Sequence, residues 1–133
     1  MSGLILKLAP GERVLINGAV IENGDRRARI AIRTPNANIL RLKEAIHPDD
    51  VATPVARVCF AAQMILSGDA APEPGRRDLM RGIEQLSQVF DDRDSRAALD
   101  GATADVAAGN VYQALRRLRG LLGREARLFA QLS

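Results

Sequence analysis

The chain has 133 residues, 47% of them apolar, which is enough for one average domain with a hydrophobic core. Aromatic residues make up only 3% and Trp is absent, so there are almost no platforms on which single-stranded bases could stack. The sequence contains one cysteine, and it indicates neither the basic-then-apolar pattern of a leader peptide nor an apolar run of membrane length. We therefore expect a cytoplasmic protein that does not span a membrane.

The net charge of +3 is unevenly distributed along the chain. Residues 1–46 carry eight Lys and Arg against four acids, residues 47–109 carry six against eleven, and residues 110–133 carry five against one. Two basic ends therefore flank an acidic middle. A basic end can steer a polyanion towards the protein, although solvated surface explains about half of such patterns.

Three turn signals divide the first part of the chain into short strands. They are Pro10-Gly11, Asn17-Gly18 and Asn23-Gly24-Asp25. These turns predict strands over residues 4–8, 13–16 and 19–22, and Asn-Gly between the last two suits a two-residue hairpin turn. The chain from residue 10 to 27 thus forms a tight meander.

The next segment, residues 27–33, alternates between apolar and basic residues, which predicts a half-buried strand with a basic outer face. The apolar face holds Ala28, Ile30 and Ile32, and the basic face holds Arg27, Arg29 and Arg33. A fifth strand is predicted over residues 38–43, although Leu42 onward could equally begin a helix. Because short strands must hide their edges, we expect residues 1–46 to form a small antiparallel barrel or sandwich.

Residues 47–133 predict a helical bundle of three to four helices, so the fold class is α+β. Thr53-Pro54 begins a helix that reaches Leu66, residues 69–75 form a loop, and helices follow over residues 76–93 and 94–108. A last helix over residues 111–132 has basic outer faces and an apolar stripe that is predicted to be buried, in the bundle or in the groove of a partner. The stripe consists of Val111, Leu115, Leu118, Leu122, Phe129 and Leu132.

The sequence predicts neither an enzyme nor a metal or cofactor site. His47 precedes a proline in a connector, and Cys59 lies in an apolar helix, so we expect a buried structural thiol. One His and one Cys do not make a metal-ligand cluster. The glycine turns lack the spacing of a phosphate-binding loop.

Several segments of the sequence resemble the FlbT family of bacterial flagellin regulators. The specific string is Ile-Asn-Gly-Ala-Val-Ile over residues 16–21, followed by Asn-Gly-Asp-Arg-Arg over residues 23–27. Pro10-Gly11-Glu12-Arg13, Ile39-Leu40-Arg41, Thr53-Pro54 and the Arg-rich helix after Tyr112 extend the likeness over nearly the whole chain. The resemblance implies a cytoplasmic regulator that acts on the 5′ untranslated region of flagellin messenger RNA, usually lowering translation or message lifetime, together with a partner called FlaF. Because some members of the family are activators, the resemblance does not imply the direction of the effect.

Residues 1–46 are also similar to the RNA-binding protein CsrA. The shared positions are Leu4-Ile5-Leu6, Gly11-Glu12, Arg29-Ile30-Ala31-Ile32, Pro35 and Arg41. Leu8 and Ala9 stand where CsrA proteins carry adjacent arginines, so this part of the CsrA surface is missing. CsrA proteins are dimers, and the short turns here would permit a homo-oligomer as well.

Two functional hypotheses follow for the two parts of the chain. Residues 1–46 are the candidate RNA-binding module, in which basic side chains would hold the 5′ leader of flagellin mRNA. Its candidate residues are Lys7, Arg13, Arg26, Arg27, Arg29, Arg33, Arg41 and Lys43. Residues 47–133 are the candidate protein-interaction module, which would bind flagellin or FlaF and so affect flagellin expression indirectly. Its candidate residues are Val111, Leu115, Leu118, Leu122 and Phe129.

Overall fold

The chain folds into strands followed by helices, which confirms the α+β prediction. The computed structural model describes residues 4–17, 19–35, 37–41 and 45–132. The strands are β1 (Leu4–Leu8), β2 (Arg13–Ile16), β3 (Ala19–Glu22), β4 (Ala28–Ile32) and β5 (Ile39–Arg41). A short 3-10 helix at Pro48–Asp50 leads to the helices α1 (Pro54–Ser67), α2 (Pro72–Ser87), α3 (Arg93–Ala107), α4 (Val111–Arg119) and α5 (Leu122–Leu132).

The strands form two small antiparallel sheets. β1 pairs with β4, and the second sheet has the order β3-β2-β5. In the described part of the chain neither sheet closes on itself, so the predicted CsrA-like barrel is wrong. The chain crosses from one sheet to the other after β3: the side-chain amide of Asn23 donates to the carbonyl oxygens of Ala9 and Arg26, both at 2.8 Å. This corner directs β4 onto β1 and away from β3.

The three-stranded sheet is a middle layer with apolar residues on both faces. Val14 and Ile39 pack with Leu6 and other residues of the β1–β4 sheet. On the other face, residues such as Leu40 join the core of the helices. Because β2 and β5 are covered on both sides, their side chains are largely buried, whereas β3 extends past the core and is exposed along its whole length.

Helix α1 lies at the centre of the helical part and packs against α2 and α4. It begins as predicted, since the Thr53 side chain accepts a hydrogen bond from the Ala56 N–H at 3.2 Å. Cys59 is fully buried, which confirms the structural thiol, and burial raises its pKa to about 12. No helix in the described ranges combines the length and apolar character needed to cross a bilayer.

Two helix boundaries differ from the sequence prediction. Helix α2 begins at Pro72, inside the predicted loop, because proline is well tolerated in the first helical turn. The predicted last helix is divided at Gly120-Leu121 into α4 and α5. The break changes the phase of the apolar stripe, so Phe129 is 46% exposed and Leu132 81% exposed. The prediction that the whole stripe is buried was therefore wrong.

Candidate nucleic-acid interface

The outer face of the β1–β4 sheet brings basic side chains from two strands together. The register places Lys7 opposite Arg29, and the strand alternation turns both outward while Leu6 and Ile30 face inward. Arg27 and Arg33 flank β4, at alternate positions that continue the side of Arg29. We call Lys7, Arg27, Arg29 and Arg33 the basic row.

One end of the basic row forms a shallow groove, which Lys7, Arg27 and Arg29 line together with Ala9. The turns that shape this end are held by backbone hydrogen bonds. The Gly11 N–H donates to the Gly24 carbonyl oxygen at 2.8 Å, and Gly11 adopts a positive φ of 71° that glycine tolerates. The groove therefore rests on two turns that are joined to each other.

The side chains of the basic row are exposed, and none of them forms an ion pair with another residue in the described ranges. Arginines of the C-terminal basic end, in contrast, form ion pairs with acidic residues. There Arg117 pairs with Asp105 at 2.7 Å, and Arg124 pairs with Asp92 at 2.5 Å and with Asp94 at 3.3 Å. The acidic middle thus compensates part of the C-terminal charge, while the charge of the basic row stays available to a ligand.

The other RNA-binding candidates do not lie in the basic row. Arg41 donates from Nη2 to the Lys7 carbonyl oxygen at 2.6 Å and pairs with the largely buried Glu12 at 3.5 Å, so it links the two sheets. Arg13 pairs across β2 and β3 with Glu22 at 2.8 Å. Arg26 is exposed in the turn before β4, and Lys43 lies outside the described residues.

The partner-binding candidates are split between the core and the surface. Val111, Leu115 and Leu118 are buried in the helical core, where a partner cannot reach them without opening the fold. Leu122 is half-buried, and Phe129 is exposed. Val111, Leu115 and Leu118 therefore stabilise the bundle. The exposed part of the stripe lies on α5.

An apolar groove that the sequence did not predict lies beside α5. It has a volume of about 310 Å³ and runs between the start of α1, the end of α2 and α5. Val89, Leu128, Phe129 and Leu132 are exposed side chains of its lining. This groove exists because the helix breaks at Gly120-Leu121 and because Val89 is exposed. Neither feature can be predicted from the apolar periodicity of the sequence.

A model of the family described as flagellar protein FlbT matches residues 4–129. A protein of Allorhizobium ampelinum named probable flagellum biosynthesis repressor protein FlbT is 32% identical over 127 residues, which cover 96% of this chain and 84% of the relative. A protein of the same name from Brucella anthropi is 32% identical over 92% of this chain and 80% of the relative.

A third protein of that name, from a Caulobacter species, is 29% identical over 130 residues, which cover 98% of each chain. No solved structure matches the chain. Because the family model covers nearly all of the sequence and the relatives align over most of their length, the chain belongs to the FlbT family of flagellar proteins.

Proposed function

We propose that this protein regulates flagellin synthesis after transcription, by binding the 5′ untranslated region of flagellin mRNA and lowering its translation or lifetime. Family membership and the name of the relatives, flagellum biosynthesis repressor, support a regulatory role in flagellum formation. The observation that supports RNA binding at this face is the basic row. Its four cations are exposed on one face of a sheet and form no ion pairs among the described residues.

The basic row suits a phosphate backbone better than a set of base-specific contacts. Arg27 and Arg33 are six residues apart, roughly 20 Å on an extended strand, so the row follows several phosphates of a single strand. Ile5 and Ala31 lie between the cations as a small aliphatic surface. With no aromatic side chain on this face, electrostatic attraction dominates, and affinity depends strongly on salt.

The test is RNA binding by the purified protein in a salt series, measured by fluorescence anisotropy with a labelled flagellin 5′ leader. Four cations on a single strand predict a slope of about −2.8 in a plot of log affinity against log salt concentration. Replacing Arg27 and Arg29 together by Ala is expected to weaken binding at least about tenfold and to reduce the slope by about 1.4. The absence of binding at low salt would contradict the proposal.

A matched control removes the same charge from the other basic end of the chain. Arg116 and Arg127 are exposed on α4 and α5, and the Arg116→Ala/Arg127→Ala variant lowers the net charge by the same amount. Its RNA affinity should stay within about twofold of the wild type, since only long-range attraction changes. If this variant loses binding and the Arg27→Ala/Arg29→Ala variant does not, the RNA site lies on the terminal helices.

The second candidate function is a protein-interaction module that binds flagellin or FlaF and affects expression indirectly. The observation that favours it is the apolar groove, since exposed apolar side chains gathered around one depression are typical of protein-binding surfaces. Co-purification with flagellin or FlaF should be lost in a Phe129→Ser/Leu132→Ser variant, while RNA affinity is unchanged. Intact co-purification by this variant would exclude the groove as the binding surface.

A further inference from the structure

Strand β3 is an open edge of the three-stranded sheet. β2 lies on one side of it, and its other side is unpaired within the described ranges. All four of its residues are exposed, with Val20 at 61% and Ile21 at 39%. Two β-branched side chains thus lie at the surface on opposite faces of an edge strand.

The free backbone groups of β3 follow from the hydrogen-bond alternation with β2. The Asn23 N–H donates to the Glu12 carbonyl oxygen at 2.8 Å, so this pair is a hydrogen-bonded pair. In an antiparallel ladder such pairs alternate, which makes Ile21 with Val14 the next one. Val20 and Glu22 therefore direct their N–H and C=O groups away from β2, to the open edge.

This edge lacks the features that usually prevent strand addition. Ala19, Val20 and Ile21 include no charge and no proline, and β3 keeps a regular register with β2 over its four residues. The charged residue of the strand, Glu22, is drawn towards β2 by its ion pair with Arg13. An unprotected edge with exposed apolar side chains is a template for another strand.

We infer that β3 of one molecule pairs with β3 of a second copy, antiparallel, about a two-fold axis at Ile21. In this register Val20 of each copy faces Glu22 of the other, and their outward backbone groups form four hydrogen bonds. Ile21 lies opposite its own counterpart, and no charge faces a like charge. A single strand thus supplies both sides of the interface, as a two-fold dimer requires.

The dimer extends the middle layer to six strands in the order β5-β2-β3-β3-β2-β5. A pair of four-residue strands buries much less than the roughly 1,600 Å² of a standard interface, so association is weak and concentration-dependent. The basic row lies on the other sheet, and therefore pairing through β3 does not cover it.

Disulfide trapping tests the register directly. Residues in a non-hydrogen-bonded pair have Cα atoms about 4.5 Å apart, within the disulfide range of about 4.4–6.8 Å. An Ile21→Cys variant with oxidised glutathione should therefore form a covalent dimer that resists denaturation without reductant. The native Cys59 is fully buried and does not compete in the folded protein.

The matched control is Val20→Cys, one residue away and more exposed. In the proposed register the two Val20 Cα atoms are roughly 8 Å apart, beyond the reach of a disulfide. Equal cross-linking of both variants would show random collision, and preferential cross-linking of Val20→Cys would show pairing about Val20; either result overturns the register.

Sedimentation of the wild-type protein tests the dimer without any new cysteine. The mean mass should rise with concentration, and Ile21→Lys, which places two like charges opposite each other, should keep the protein monomeric. A wild-type protein that stays monomeric at several hundred micromolar overturns the inference. Because RNA affinity is measured separately on the Arg27→Ala/Arg29→Ala variant, failure of the dimer and failure of the RNA proposal are distinguishable.

Discussion

At the scale of single residues, Glu125 is the side chain whose role the sequence conceals most. Only 5% of it is exposed, although it lies among five arginines in the last 24 residues. Its Oε2 accepts a hydrogen bond from the Val55 N–H at 2.9 Å, so a carboxylate from α5 caps the first turn of α1. This contact satisfies an N–H that has no partner inside its own helix. It also places the negative carboxylate at the positive N-terminal end of the α1 dipole, where a negative charge is stabilised.

Removing this carboxylate should destabilise the fold without touching the basic row. Glu125→Ala is expected to lower the free energy of unfolding by about 2 kcal/mol, since a buried N–H loses its acceptor. Urea unfolding followed by circular dichroism measures the change. Glu84→Ala, at an exposed position of α2, is the control and should change stability by less than about 0.5 kcal/mol. Equal effects of both variants would mean that the cap contributes nothing.

Cys59 gives a prediction about alkaline pH. Burial raises the pKa of its thiol from 9.0 to about 12, so between these values the folded protein keeps a proton that the unfolded chain loses. The folded state then binds more protons, and its stability falls as pH rises. From pH 8 to pH 10 this group should lower the free energy of unfolding by about 1.4 kcal/mol.

The measurement is urea unfolding at pH 8 and pH 10 for the wild type and for Cys59→Ala. The alanine variant is less stable than the wild type at pH 8 because it leaves a small cavity. What distinguishes it is the smaller loss of stability between pH 8 and pH 10. The same loss in both proteins would show that other groups, and not the buried thiol, set the alkaline limit.

At the scale of elements, Arg41 shows how a residue with the charge of an RNA ligand serves the fold instead. From β5 it binds the backbone of β1 and pairs with Glu12, and thereby joins the two sheets. Arg41→Ala should lower stability by about 2 kcal/mol, because Glu12 keeps a largely buried charge without this partner.

The comparison variant is Arg29→Ala, which removes an exposed cation of the basic row. It should leave stability within about 0.5 kcal/mol and weaken RNA binding, whereas Arg41→Ala should leave RNA affinity within about twofold at temperatures where it is folded. Thermal unfolding and fluorescence anisotropy on the same two preparations measure both quantities. A large loss of RNA affinity in the folded Arg41→Ala variant would show instead that Arg41 is part of the RNA-binding surface.

The strands were predictable because their signals are local. Turn residues separate β2 and β3 at the predicted bounds, and the alternation over β4 indicated that Arg29 points outward. The position of Lys7 opposite Arg29 and the contacts of Arg41 with β1 and Glu12 depend on which strands pair with each other. No local sequence pattern encodes that pairing. The break before α5 was missed for a similar reason: Gly120 alone does not stop a helix whose apolar spacing continues.

At the scale of the whole molecule, one face of the three-stranded sheet belongs to the core of the helices. Leu15 from β2 and Leu40 from β5 are 5% and 1% exposed and belong to the same apolar cluster as α1 residues such as Val55 and Cys59. The division into residues 1–46 and 47–133 therefore cuts through a buried layer. The face of the three-stranded sheet that carries Leu15 and Leu40 would be exposed to water if the two parts were separated.

This shared core predicts that neither part is a complete folding unit. An expressed fragment of residues 1–46 should lack β structure by circular dichroism, because a domain this small buries too little apolar surface by itself. The fragment of residues 47–133 should stay helical but bind a hydrophobic dye where Leu15 and Leu40 cover α1.

In the full chain, Leu40→Ala tests the same layer without cutting the protein. We expect it to lower the free energy of unfolding by about 2–5 kcal/mol, as truncation of a buried leucine does, while Ile5→Ala on the exposed face of β1 changes it little. The loss should appear as a single shifted transition, since strands and helices that share a core unfold together. Two separate transitions, with the helical one unmoved by Leu40→Ala, would instead establish independent β and helical domains.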